Sequence, residues 1–325
     1  MKAGGPLEPW SFEVDAVGHN EIDIEVTHCG VCHTDLHLTD NDFGITAYPF
    51  VPGHEAVGVV QTIGSGVTHL TVGQRVGVGW QRGTCGACEW CGKGLQNLCA
   101  SSRPTCLAGY GGFAKSLRVD SYFGIPVPDG LDSAVAAPML CAGITVYSSL
   151  RRYLSPGSRV GIVGIGGLGH LAIQFACAMG AEVTAISSSQ EKAAEARQFG
   201  AHHFVASTDP DQMKRLSGGV HLLLNTSTAN LDWSAYLATL RQNGVFCMVG
   251  APEGPVVLPI LQMIFGQYTF SASVIGPPSD IEEMFRFAAL HSIRTAIELV
   301  PMDQVNGAMA KVRRNKARYR MVLAA

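Results

Sequence analysis

The longest uncharged apolar stretch of the chain, Val160 to Ala181, decides much of the fold. By length alone it could cross a membrane as one helix. Gly161, Gly164, Gly166, Gly167, Gly169 and Gly180 divide it, however, and a backbone so interrupted suits a buried strand, a tight turn and a helix. The segment therefore predicts a strand over Val160 to Val163 and a helix over Leu168 to Met179. The sequence beyond repeats the alternation. Strands are expected at Glu182 to Ile186, His203 to Val205, His221 to Asn225, Val245 to Val249 and Thr269 to Ser273, with helices at Glu191 to Phe199 and Trp233 to Arg241 among them. Six strands joined this way imply a doubly wound parallel sheet.

Upstream the texture differs. From Glu21 to Val78 short apolar or alternating runs, such as Ile22 to Val26 and Val57 to Ile63, are broken by Gly and Pro, the pattern of strands and turns. The tail predicts a helix over Asp280 to Ala289, a second near Met302 to Arg314 and a last strand over Tyr319 to Leu323 that returns to this first part. At 325 residues two cores are expected: residues 1–144 with 275–325 rejoining them, and residues 145–274. The class is α/β.

Charge narrows the partners. Lys and Arg number 23 against 26 Asp and Glu, a net charge of -3, and no nucleic-acid or membrane patch of like charge is expected. Small molecules are the expected partners. The first nine residues carry glycines, prolines and Glu8 in place of a charged leader and apolar core, so the expected compartment is the cytoplasm. Ten cysteines in a long chain of that kind read as metal ligands rather than a disulfide scaffold.

Four of them, Cys85, Cys88, Cys91 and Cys99, share a loop with Gly83, Gly86, Gly92 and Gly94. Four thiolates so close can close a tetrahedral zinc shell with no open position, a site that stabilises and does no chemistry. A second group lies upstream: Cys29, Cys32, His33, Asp35, His37, His54 and Glu55, in two clusters flanking an expected loop. A zinc that does chemistry takes three protein ligands and keeps the fourth position open, and Cys2His is one such set. Composition leaves Cys29 and Cys32 equal as candidates.

Gly164, Gly166 and Gly169 form GxGxxG after an apolar strand and before a helix, the context a dinucleotide pyrophosphate requires. An acidic residue at the end of the next strand would accept from the ribose hydroxyls of NAD and repel a 2'-phosphate. Here Ser187, Ser188, Ser189 and then Lys192 stand instead, three hydroxyls and a cation that can hold that phosphate. NADP(H) is the expected cofactor. Ser189 is also placed to cap the following helix.

The segments GVCHTDLH (Gly30 to His37), PGHEAVG (Pro52 to Gly58), the cysteine quartet, LCAGIT (Leu140 to Thr145) and GIGGLGH (Gly164 to His170) together resemble the zinc-dependent medium-chain dehydrogenases, above all the cinnamyl alcohol dehydrogenase branch and its bacterial aldehyde reductase relatives. The resemblance implies a mostly-β GroES-like catalytic domain and a Rossmann domain. It makes Cys32, His54 and Cys141 the ligands of a catalytic zinc, Glu55 an exchangeable fourth ligand, Asp35 the carboxylate that fixes the His54 tautomer, and Cys29 a buried spare. It also implies a proton relay through Thr34 and His37, histidine being the side chain suited to such a shuttle. Asp42 is placed either to continue that relay or to be a solvated loop carboxylate, and His33 to be a wall or cofactor contact. Thr145, Gly164, Gly166, Gly167, Leu168 and Gly169, with Ser187, Ser188, Ser189 and Lys192, would bind the cofactor.

The implied reaction moves a hydride between NADP(H) and a primary alcohol or aldehyde, aromatic or medium-chain, with reduction favoured and two zinc ions per chain. The resemblance further implies a homodimer, for which Thr269 to Ser273 is the candidate edge strand. Three alternatives differ in identifiable residues. An NAD-dependent alcohol or polyol dehydrogenase would place an acid near Ser188. A zinc-free reductase of the same fold would lack the Cys32, His54, Cys141 set, and a non-catalytic zinc- and nucleotide-binding relative would not need the relay.

Overall fold

The structure, a computed structural model, describes residues 2–252 and 254–325. It divides into two compact units, one of Met1–Ile144 with Ile275–Ala325 and one of Thr145–Val274. The boundary falls within the helix Ala142–Tyr153. Among the described residues no single helix is long and apolar enough to cross a membrane, and the apolar stretch at Val160 becomes the strand Arg159–Val163 and the helix Gly169–Ala178.

In the first unit the strand Glu21–Val31 is the hub. Its N-terminal half pairs with Ser116–Asp120 and its C-terminal half with the last strand, Arg320–Ala324, while Ala56–Ile63 runs along its other edge, all antiparallel. Arg75–Val78 and Ile125–Pro126 extend one side of the sheet and Ile297–Pro301 the other. Ile22, Ile24 and Val26 alternate inward to meet Val60, Val76, Leu117 and Val119. That is the period of two a strand with one buried face requires.

Six parallel strands make up the second unit: His203–Ala206, Glu182–Ser187, Arg159–Val163, Val220–Asn225, Leu240–Met248 and Thr269–Ala272 in spatial order. In chain order this is 3-2-1-4-5-6, the doubly wound dinucleotide-binding arrangement. The α/β class and both architectures expected from the sequence are present.

Several elements differ from expectation. The helix expected over Trp233 to Arg241 stops at Ala238, where Thr239 Oγ1 donates to the Tyr236 carbonyl at 2.7 Å, and Arg241 already lies in the next strand. Glu191 to Phe199 is a 3-10 turn, Gln190–Lys192, followed by a helix over Ala193–Gln198, and Ser189 makes no side-chain cap there. Near Met302 a 3-10 turn precedes the helix Val305–Arg313.

The largest departure is the helix His33–Asp40, in a region read as strands and turns. Asp35 Oδ2 accepts from the Cys32 backbone N–H at 2.9 Å and so caps the first turn, and Asn41 ends the helix in the left-handed region at φ 59°.

Candidate active site

The end of the hub strand, the helix that follows it, the start of Ala56–Ile63 and the start of Ala142–Tyr153 bring four donors together in the first unit. The ligand atoms of Cys32, His54, Glu55 and Cys141 all lie within 4.8 Å of one another, with Cys32 and Cys141 Sγ 4.0 Å apart. Asp35, fully buried, organises them. One of its oxygens holds the Cys32 backbone, and the other accepts from the Gly53 backbone N–H at 3.0 Å and from His54 Nδ1 at 2.9 Å. With Nδ1 committed as donor, His54 Nε2 faces the cluster, and it has no hydrogen-bond partner among the described residues. A buried polar atom without a partner costs free energy that a metal ion would recover.

Glu55 is divided in the same way. One oxygen accepts from Arg320, buried in the last strand, and the other, Oε2, has no partner. Gly30 makes room for it, since a Cβ there would lie 1.9 Å from Oε2. Burial pushes the Glu55 carboxyl up to about 7, against the pull of Arg320. The Cys32 thiol is held well below the ordinary cysteine range, first by its hydrogen bond with Cys141, whose own thiol is pushed up by the same contact. Burial lowers the His54 pKa, but Asp35 and Cys141 outweigh it and hold the ring well above its usual value. The cluster attracts positive charge, and a divalent cation would take the place of that proton. Two thiolates and one imidazole fit a zinc that keeps its fourth position open, and the Glu55 carboxylate lies within 4.8 Å of all three donors.

The residues expected to form a proton relay lie on the helix that follows Cys32 and just beyond it. Cys32 Sγ lies 3.7 Å from Thr34 Oγ1. Three residues on, on the same face of the helix, His37 Nδ1 is 2.7 Å from Asp42 Oδ2, both half exposed. No hydrogen bond joins Thr34 directly to His37. His33 opens the helix beside Asn315. Cys29 is fully buried with its thiol on the Gly30 carbonyl, outside the donor cluster.

The second donor set, Cys85, Cys88, Cys91 and Cys99, also lies within 4.8 Å and contains no other group. Gly86 and Gly94 turn the chain with φ of 68° and 74°. Backbone N–H groups of Ala87 and Cys88 pull the exposed Cys85 thiol down to about 6. Four sulfurs with no fifth donor fit a closed zinc shell.

In the second unit the three glycines of the motif do three different things. Gly164 turns at φ 85°, a Cβ on Gly169 would lie 1.9 Å from the Gly164 carbonyl oxygen, and a Cβ on Gly166 would meet nothing within 4 Å. The helix Gly169–Ala178 begins here, behind Gly167 and Leu168. These are the tight turn, the close packing and the open approach a pyrophosphate needs. Lys192 reaches back to the Ile165 carbonyl of this same turn, bringing its ammonium to the glycine loop. Ser187 is buried and accepts from the Ser189 backbone N–H at 3.2 Å, while Ser188 is exposed. Thr145 is buried in its helix, its carbonyl accepting from Ser149 Oγ at 2.8 Å.

Two residues escaped the sequence reading. Arg320 meets Glu55 across 265 positions. Its only signal is membership of the cation-rich stretch 311–320, in which Lys311, Arg313 and Arg320 each meet a carboxylate, of Glu298, Asp40 and Glu55. Trp80 places its ring against His54, centroids 5.3 Å apart at 86°, and its carbonyl accepts from the Thr105 backbone N–H at 2.7 Å. The tryptophan following Gly79 carries no motif signal.

Known proteins match both units. Residues 18–129 match the alcohol dehydrogenase GroES-like domain and residues 167–289 the zinc-binding dehydrogenase family. The chain is 43% identical over 324 residues to the aldehyde reductase AdhA of Synechocystis, covering 99% of this chain and 96% of that protein. It is 41% identical to cinnamyl alcohol dehydrogenase 2 of Rauvolfia serpentina, covering 98% and 91%. Among solved structures, a cinnamyl alcohol dehydrogenase of Sorghum bicolor superposes with a TM-score of 0.94 at 40% identity, covering 98% of this chain and 94% of that one. One from Helicobacter pylori, complexed with NADP(H), gives 0.90 at 31%, covering 99% and 95%. The chain belongs to the zinc-dependent medium-chain alcohol dehydrogenase family, close to the cinnamyl alcohol dehydrogenases.

Proposed function

We propose that this protein is an NADP(H)-dependent alcohol dehydrogenase that converts a primary alcohol and its aldehyde into one another, with aldehyde reduction favoured, and that it carries two zinc ions per chain. The observation that carries the reading is His54 Nε2, buried without a partner among Cys32, Glu55 and Cys141. Held there, zinc supplies a Lewis acid at the substrate oxygen, and the nicotinamide supplies or accepts the hydride. Asp35 fixes the ring of His54 and the backbone of Cys32, so the donors are set before substrate arrives. The Thr34 hydroxyl takes up the proton an alcohol loses, and His37 with Asp42 passes it to solvent, with a water or other hydroxyl bridging the gap between Thr34 and His37 that no direct hydrogen bond spans; in reduction the same groups return it. Trp80, in T-shaped contact with the His54 ring, adds aromatic surface beside the donor set, which supports aromatic or medium-chain substrates. The relatives' printed activities, aldehyde reductase and cinnamyl alcohol dehydrogenase, support the same choice.

Residues 1–144 with 275–325 are then the catalytic domain and residues 145–274 the dinucleotide-binding domain, the division the two compact units support. Six of the ten cysteines lie in donor clusters, which supports a reducing, cytoplasmic setting. The assembly we propose is a homodimer. Thr269–Ala272 is the last strand of its sheet, and the nearby helix Ile260–Gly266 exposes Ile260, Leu261, Ile264 and Phe265, an apolar surface that a second copy would cover.

The test is zinc content measured beside NADPH and NADH oxidation with a panel of aromatic and aliphatic aldehydes. NADH preference, or turnover by protein with the zinc removed, would overturn the assignment. Ser188→Asp sharpens it. A carboxylate there repels a 2'-phosphate and can accept from free ribose hydroxyls, so NADPH use should fall roughly ten- to thirty-fold in kcat/KM while NADH use holds or improves.

A further inference from the structure

The two sulfur clusters differ in what can reach them. Cys85 is exposed, with Cys99 beside it 5% exposed, whereas in the catalytic cluster Cys141 is half buried and Cys32 6% exposed, so neither of its sulfurs is as open as Cys85. Spacing differs as well. Cys99 Sγ lies 3.5 Å from Cys85 Sγ, against 4.0 Å between Cys32 and Cys141. A disulfide needs about 2.05 Å, so either pair must close further. The loop has room to do so. A Cβ on Gly86, Gly92 or Gly94 would meet nothing within 4 Å, so the turns between the loop cysteines border open space. Cys32 is tied through its backbone N–H to a fully buried carboxylate.

Resting on the reading that this loop holds a zinc, we propose that it is an oxidant-sensitive modification site in which a hydroperoxide oxidises Cys85 and Cys99 completes a disulfide. In the first step the Cys85 thiolate attacks the peroxide: an S–O bond forms, the O–O bond breaks, water or an alcohol leaves after protonation, and the sulfur is oxidised by two electrons to a sulfenic acid. In the second the Cys99 thiolate attacks that sulfur. The S–S bond forms and hydroxide leaves, taking a proton from solvent. Two of four donors are then gone, and Cys88 with Cys91 cannot retain the metal against water or a chelator. The catalytic cluster keeps its donors, so the modification costs stability first and turnover later.

The zinc-loaded full-length enzyme, titrated with hydrogen peroxide, tests this through three readouts: zinc released to a chromogenic chelator, disulfides mapped by peptide mass spectrometry, and residual activity. The expected result is that the first zinc is released with a Cys85–Cys99 linkage while most activity remains, and that dithiothreitol with added zinc reverses both. A Cys99→Ser chain should accumulate a dimedone-reactive Cys85 instead. Cys32 or Cys141 oxidised at the same or lower dose, or loop zinc retained while activity falls, overturns the proposal but leaves the assigned reaction standing. A purified enzyme whose loop never holds zinc overturns the reading beneath it.

Discussion

The two donor clusters of the first unit are alike in size and opposite in construction. Both place their ligand atoms within 4.8 Å. The quartet draws all four from the short segment between Cys85 and Cys99, and its scaffold is local: a turn at Gly86, one helical turn over Glu89–Gly92, a turn at Gly94. The other draws on Cys32, His54, Glu55 and Cys141, with Arg320 behind them, and is held by buried charge: Asp35 on three partners and Arg320 on one. A local loop gains its order from the metal, so metal and folding are coupled there. A cluster fixed by the surrounding core keeps its shape when one donor is lost. Stability should therefore belong to the first and chemistry to the second.

The sharpest test of that division is removal of a core donor. Cys32→Ala or His54→Ala should lower kcat/KM to about a thousandth of wild type or less, the several kcal/mol a Lewis acid contributes, while thermal unfolding stays nearly unchanged. Substantial turnover by either variant without a recruited metal would break the comparison. In the loop the balance should reverse. Cys91→Ala should lower Tm by on the order of 10 °C, with kcat of the folded fraction within about twofold of wild type. Equal losses of activity from both clusters would mean that the sites are not separable.

The same contrast explains what could be read in advance. The quartet and the glycine turn were legible because their residues are close in sequence, and the two architectures because strand periods and helix breaks are local signals. The helix His33–Asp40 was not, because its residues are polar and its cap is a carboxylate reaching back to Cys32, so no apolar stripe marks it. The strand Ile297–Pro301 was missed for a related reason: it lies on the sheet edge with its alternation weak, and its partner is the last strand. Glu55 was legible within PGHEAVG, but its Arg320 partner lies too far along the chain for any spacing rule. Trp80 depends on how Thr105 fixes its backbone, which no motif encodes.

A smaller effect should come from the carboxylate that supports the core cluster without belonging to it. Asp35→Asn keeps the volume but replaces one acceptor oxygen by a donor, so at least one of the bonds to Cys32 N–H, Gly53 N–H and His54 Nδ1 is lost. Affinity of this cluster for zinc should fall roughly ten- to a hundredfold, with the quartet's zinc unchanged. Competition with a chelator, monitored for each zinc, separates the two. Weakening of both zincs together would mean that Asp35 supports the fold rather than the site.

The smallest effect expected distinguishes two sulfurs that composition leaves equal. Cys29 and Cys32 stand three residues apart, but alternation along the strand and the start of the helix send them to different places. Cys32 enters the donor cluster, and Cys29 packs among Ile24, Ala56 and their neighbours with its thiol on the Gly30 carbonyl. Burial pushes the Cys29 thiol well above the ordinary range, which suits an inert packing group and not a thiolate ligand. Cys29→Ala removes one buried sulfur and leaves a small cavity, a change worth about 1–2 kcal/mol of stability. Both zincs and kcat/KM should stay within about threefold of wild type, against the thousandfold loss expected at Cys32. Metal analysis and kinetics on the Cys29→Ala and Cys32→Ala chains side by side decide the matter, and loss of a zinc from the first would reverse the ligand assignment.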